Sequence, residues 1–81
     1  MRLHPNPAGS FTILDHDTPY TAQHQRLVLR DIHGRLMRDM PITGQQGQEV
    51  ITLADLVTGV YTVEFIVDGE RVATERVVVK P

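Results

Sequence analysis

One uninterrupted stretch limits the fold of this chain more than any other. Tyr61, Val63, Phe65 and Val67 alternate with Thr62, Glu64 and Ile66, and Asp68-Gly69 follows at once. Period-two alternation is the pattern of a half-buried strand. Asp-Gly after such a run is a strong short-range signal for a two-residue hairpin turn. A second β-prone run from Glu70 to Lys80 completes the hairpin. Its alternation slips between Val72 and Val77, which predicts a bulge or bend near Ala73 to Arg76.

The same rhythm runs through the rest of the chain. Pro5-Asn6-Pro7-Ala8-Gly9 cannot continue a helix and has few free backbone donors, so residues 1–9 read as a stiff, linker-like lead-in. Ser10 to Leu14 is a strand with Phe11 and Ile13 on one face. Asp15 to Gln25 is polar and proline-broken, and is expected to be a long loop. Arg26 to Ile32 forms a strand with Leu27 and Leu29 inward. Asp31-Ile32-His33-Gly34-Arg35 suits a type I turn closed by a left-handed glycine, and Arg35 to Met40 returns as the partner strand. Pro41 to Gln48 is expected to be a glycine- and glutamine-rich loop. Glu49 to Leu53 is a short strand, and Ala54 to Thr58 a tight turn with Leu56 plugging the core. Gly59 at the entry to the next strand supplies an unusual backbone angle or room for a close approach. Short strands separated by turn chemistry, with no segment long enough for a confident helix, define an all-β sandwich or barrel.

The 81 residues make one domain, residues 1–81. Such a chain buries only roughly 60% of its unfolded surface, so its core is thin. A net charge of -2 favours neither nucleic acid nor an anionic membrane surface. Arg26, Arg30, Arg35 and Arg38 read as the solvated face of a hairpin. There is no cysteine, which removes disulfides, thiolate metal sites and cysteine nucleophiles together. The first residues lack the apolar run of a signal peptide, and nothing approaches the roughly 20 apolar residues of a spanning helix. Direct membrane insertion is therefore not expected. Whether Met1 is native is open.

Chemistry is sparse. Asp15-His16-Asp17 with His24 could offer mixed ligands, but the spacing matches no strong metal signature, and polar loop residues meeting water explain it better. Ser10 is the single serine and lacks nucleophile-elbow glycines. Asp55 and Glu64 read as surface acids. No cofactor and no catalytic residue is expected. Sugar binding needs exposed aromatic platforms, whereas Phe11, Tyr61 and Phe65 fall in phase with the core and only Tyr20 stands outside it. Stacking of nucleic-acid bases is disfavoured for the same reason.

Four segments, in order, carry a resemblance: Pro5-Asn6-Pro7 leading into Ser10-Phe11-Thr12-Ile13; Leu29-Arg30-Asp31-Ile32-His33-Gly34-Arg35; Ile51 to Tyr61 (ITLADLVTGVY); and Val77-Val78-Val79-Lys80. Together they resemble the type A C-terminal sorting domain of the type IX secretion system of Gram-negative bacteria. The resemblance spans essentially the whole chain. It implies an immunoglobulin-like antiparallel β-sandwich of about seven short strands, at the C terminus of a larger cargo protein. It further implies passage through the periplasm, an outer-membrane translocon with its shuttle protein, a surface sortase that removes the domain, and a final location at the cell surface or outside the cell. Carried across by position, the motif residues are Pro5, Asn6, Pro7, Gly34, Arg35, Gly59, Tyr61, Val77, Val78, Val79 and Lys80. His4 stands where an aromatic residue often precedes the Pro-Asn-Pro, and Pro81 extends past the usual terminal lysine. By its residue chemistry, the Val77–Lys80 run is either an edge strand able to pair with a receptor strand or simply the last core strand. The alternative to a sorting signal is a generic immunoglobulin- or fibronectin-like spacer, or a carbohydrate-binding accessory module.

Overall fold

A computed structural model describes residues 1–17 and 24–80, and every described element is a strand. The strands are β1 (Arg2–His4), β2 (Phe11–Asp17), β3 (Gln25–Arg30), β4 (Leu36–Ile42), β5 (Gln46–Thr52), β6 (Gly59–Val67) and β7 (Glu70–Val79). They form two antiparallel sheets, ordered β1-β2-β5 and β4-β3-β6-β7. This partition of seven strands is that of an immunoglobulin-like sandwich. Tyr20 and Pro81 lie outside the described residues, as does the centre of the expected loop after β2.

The β6–β7 hairpin forms as its sequence dictates. Val67 pairs with Glu70 across Asp68-Gly69, and both turn residues have positive φ, 49° and 85°. Two left-handed residues in succession make a type I′ turn, whose twist matches that of the strands. The bulge in β7 falls at Val72, one residue before the expected window, because Phe65 pairs with Ala73 while Ile66 pairs with Arg71. Val72 is thereby pushed into solvent and Val77 and Val79 are brought into phase with the core.

The core lies between the sheets. Leu14 and Ile51 from one face Leu27, Leu29, Val63 and Val77 from the other, with Leu53 closing one end. Tyr61, Phe65 and Val67 face the core as their alternation requires. Leu56 packs against it only half-buried. On the outer face of the larger sheet, Arg26 pairs with Asp39, and Arg30 and Arg71 both reach Glu64. Val28 sits among these groups and is 3% exposed although it points away from the core. Long side chains on three neighbouring strands account for that burial.

Several expectations are corrected. In β2 the buried face is Thr12, Leu14 and His16, so Phe11 is exposed and Ile13 half-exposed. A shift of one residue exchanges the two faces of a strand. On the buried face Leu14 is fully enclosed in the core, and the Thr12 hydroxyl beside it donates to Pro5 O at 3.0 Å. Asp15-His16-Asp17 is strand, not loop. Its alternation turns His16 inward and the two aspartates outward, so the three cannot converge on one ion. Among the described residues no group of three or more such side chains is placed to hold a metal. The expected loop from Pro41 to Gln48 shrinks to Thr43-Gly44-Gln45, since β4 runs to Ile42 and β5 begins at Gln46. Residues 2–4 of the lead-in are a strand paired with β2, with Leu3 in the core. The His4–Pro5 and Asn6–Pro7 peptide bonds are cis.

Candidate functional site

Antiparallel topology sorts the connections between two ends of the sandwich. One end carries the β1–β2 link, the β3–β4 hairpin, the β5–β6 loop and the last residues of β7. These are the four segments singled out in the sequence. The β6–β7 turn and the β4–β5 connection lie at the opposite end.

The β3–β4 hairpin is built by Asp31. Gly34 N–H donates to Asp31 O and Asp31 N–H to Arg35 O, each at 3.0 Å. The Asp31 carboxylate accepts from His33 N–H and Arg35 N–H, both at 2.9 Å, and from Arg35 Nε at 2.6 Å. Partial burial pushes this carboxyl up, but the donors from Arg35 and His33 outweigh it and hold the group below its ordinary value. Gly34 has φ +81°, and nothing lies within 4 Å of where a side chain would begin. Its requirement is therefore conformational, and residues other than asparagine or aspartate meet the left-handed penalty of about 1–2 kcal/mol.

The β5–β6 loop is pinned by Tyr61. Its ring is 3% exposed, and its hydroxyl donates to Val57 O at 2.7 Å, four residues upstream. A tyrosine opening this strand and bonding back to the preceding loop is the tyrosine corner of immunoglobulin-like domains. Leu56 N–H donates to Leu53 O at 3.0 Å and tightens the turn. Arg38 of β4 reaches across to Asp55, and its Nε donates to Thr52 O at 3.2 Å. Gly59 departs from its expected role. Its φ is not left-handed, and a Cβ there would meet nothing closer than Tyr61 Cε1 at 4.0 Å, because Gly59 already lies in regular β6 opposite Val79.

Between the hairpin and this loop runs a groove of about 320 Å³, lined in part by Ile32, Arg35, Leu56, Val57, Val60 and Tyr61. Ile32 and Val57 are 75% and 79% exposed. Apolar side chains at the tips of two turns are unusual for a surface that meets only water. Sequence reasoning placed both residues inside motifs without predicting their exposure. The signal available was an isoleucine at a turn position that favours polar residues.

The last residues of β7 are not a free edge. Ala8 bridges Val79 in parallel: Ala8 N–H donates to Val78 O and Lys80 N–H to Ala8 O, each at 2.7 Å. Asn6 Nδ2 donates to Arg76 O at 2.8 Å, and Asn6 Oδ1 accepts from Val78 N–H at 3.0 Å. The outer edge of Val77–Lys80, one of whose two readings was a strand open to a receptor, is bonded within the molecule by the lead-in. Val77 and Val79 are core residues, and Val78 is half-buried. Pro5, Asn6 and Pro7 are exposed at this junction. Sequence reasoning did not find the Asn6 clamp, whose partners lie some 70 residues away.

The fold and this end together define a small immunoglobulin-like module whose distinguishing features are surface shape and a composite of four motif segments. A family model for the secretion system C-terminal sorting domain matches residues 2–80. The chain belongs to this family, and it carries a C-terminal sorting signal for type IX secretion. Such a signal serves a cargo protein handled by that system and directs export toward the cell surface or extracellular space. No curated protein and no solved structure gives a significant match.

Proposed function

We propose that the domain is a non-catalytic address label read at its motif-bearing end. It directs an upstream cargo from the periplasm through the outer-membrane translocon, with the help of the shuttle protein, to the surface, where a sortase removes it. The observation that carries this reading is the gathering of all four motif segments at one end. In this reading the motif residues divide by task. Gly34 and Tyr61 set the shape of the two loops, Asn6 and Val77–Lys80 set the junction beside them, and Ile32, Arg35, Val57 and Val60 present the contact surface. The end suits recognition better than reaction, since Arg35 is bound to Asp31 and Arg38 to Asp55. What it offers a partner is an apolar groove rimmed by neutralised charge.

The test is a graft of these 81 residues onto a neutral periplasmic reporter in a bacterium with a type IX system. The wild-type graft is expected to place the reporter on the surface. The double variant Ile32→Lys, Val57→Lys alters two exposed side chains; it is expected to keep the fold, checked by circular dichroism, and to leave the reporter in the periplasm. Normal display of that folded variant would show that this end is not the surface read.

A further inference from the structure

In a parallel ladder, one residue donates its N–H to the neighbouring strand and accepts an N–H from two residues further along that strand. Ala8 does this between Val78 and Lys80. One ladder step toward the N terminus, a partner is required for Arg76 O and Val78 N–H. The Asn6 side chain supplies it, donating to the first and accepting from the second. A carboxamide carries the same donor and acceptor as a peptide group. At this step it is the Asn6 side chain that continues the ladder. The adjoining anchor is Thr12, fully buried, which donates to Pro5 O.

We infer that Asn6 is a positioning residue of the sorting signal, a strand surrogate that fixes the Arg76–Lys80 end of β7 against the lead-in so that the recognition end is complete only when both are docked. The inference rests on the reading of that end given above. Asn6 acts through Arg76 and Val78. The residue type is specific: aspartate keeps the acceptor for Val78 N–H but sets a carboxylate oxygen against Arg76 O, and alanine keeps neither bond.

The test compares Asn6→Ala, Asn6→Asp and Leu27→Val, the last a core substitution on β3, well away from the clamp, selected to match Asn6→Ala in melting temperature. Each is carried on the same reporter graft, and amide hydrogen exchange is measured on the domain. In Asn6→Ala the Val78 amide is expected to exchange about tenfold faster or more. In Asn6→Asp it is expected to stay protected. Surface display is expected to fall sharply in both Asn6 variants and to hold in Leu27→Val. Normal display of Asn6→Ala with a fast-exchanging Val78 overturns the inference, and so does equal loss of display in Leu27→Val, which would reduce the effect to stability. Failure of the wild-type graft to reach the surface overturns the sorting reading itself, while Val78 exchange still reports on the clamp.

Discussion

Replacing Tyr61 by phenylalanine isolates the hydroxyl that joins the β5–β6 loop to the core. The ring remains in its site, buried among core side chains, so no transfer or cavity cost of the aromatic group arises. The bond lost is the 2.7 Å contact to Val57 O. Val57 is 79% exposed, so its carbonyl can turn to water and is not left as a buried orphan. The cost is then that of one net hydrogen bond, about 1 kcal/mol. For 81 residues the unfolding entropy is about 0.17 kcal/mol/K, which converts that loss to about 6 °C in melting temperature. Tyr61→Ala, by contrast, removes the ring at about 3–5 kcal/mol. A domain of this length holds about 4–12 kcal/mol in total, so that variant is expected to sit near or beyond unfolding. Thermal denaturation by circular dichroism measures both, and Leu56 amide exchange reports the loosened turn. Tyr61→Phe melting within about 1 °C of wild type would show that the corner adds no net stability. A loss as large as that of Tyr61→Ala would show that Val57 O cannot reach water.

Two further outcomes are expected. His16 is 5% exposed and neither ring nitrogen has a partner, so His16→Leu is expected to stabilise the domain by about 1 kcal/mol, read as a higher urea midpoint at constant m-value; a lower midpoint would mean that the nitrogens are satisfied. Asp31 has a depressed folded pKa, so its contribution is fully present above the ordinary value of 3.8 and is lost as pH falls through the folded value. The gap in melting temperature between wild type and Asp31→Asn is therefore expected to be widest near neutral pH and to close in acid, and a gap that persists there would refute the sign. Asp15 shifts in the same direction, through the amide of Gln48 foremost and then His4, so part of the acid sensitivity remains in the variant.

What the sequence disclosed was local. Asp68-Gly69 and the Asp31 to Gly34 turn are specified within four residues, and the alternation from Tyr61 to Val67 fixes its own inward face. Tyr61 was legible as a core ring because its phase is that of Val63 and Phe65. The β2 strand is ambiguous in sequence because its two faces compete: Phe11 and Ile13 stand against a face on which Leu14 is flanked by the polar Thr12 and His16, and the burial of Leu14 together with the Thr12 bond to Pro5 O goes with the second. The strand β1 has three residues and a single core side chain, Leu3, too little for a periodic signal. Gly44 and Gly47 suggested a loop, yet Gly47 is accommodated inside β5 opposite His16. The recognition end was legible only as four separate segments. Their convergence follows from strand order, which no segment contains.

That convergence also bears on how the signal can be read. A sandwich of two open sheets has four edges, and unprotected edges recruit strands indiscriminately. Here β1 is only three residues long, and β4 carries Pro41 together with Arg38 and Asp39. On β5, Glu49 shares the inward phase of Ile51 and is half-buried, and Thr52 O is bonded to Arg38. On β7, the bulge at Val72 interrupts one part and the Asn6–Ala8 segment covers another. Each edge thus bears a feature that opposes strand addition, the edge at Val77–Lys80 included. In the reading proposed above, a folded signal gains from closed edges, because one held in exposed backbone would pair with any strand it met. Under the proposed reading, recognition through side chains at the tips of pinned loops avoids that hazard and would make the signal depend on the whole fold rather than on a linear tail.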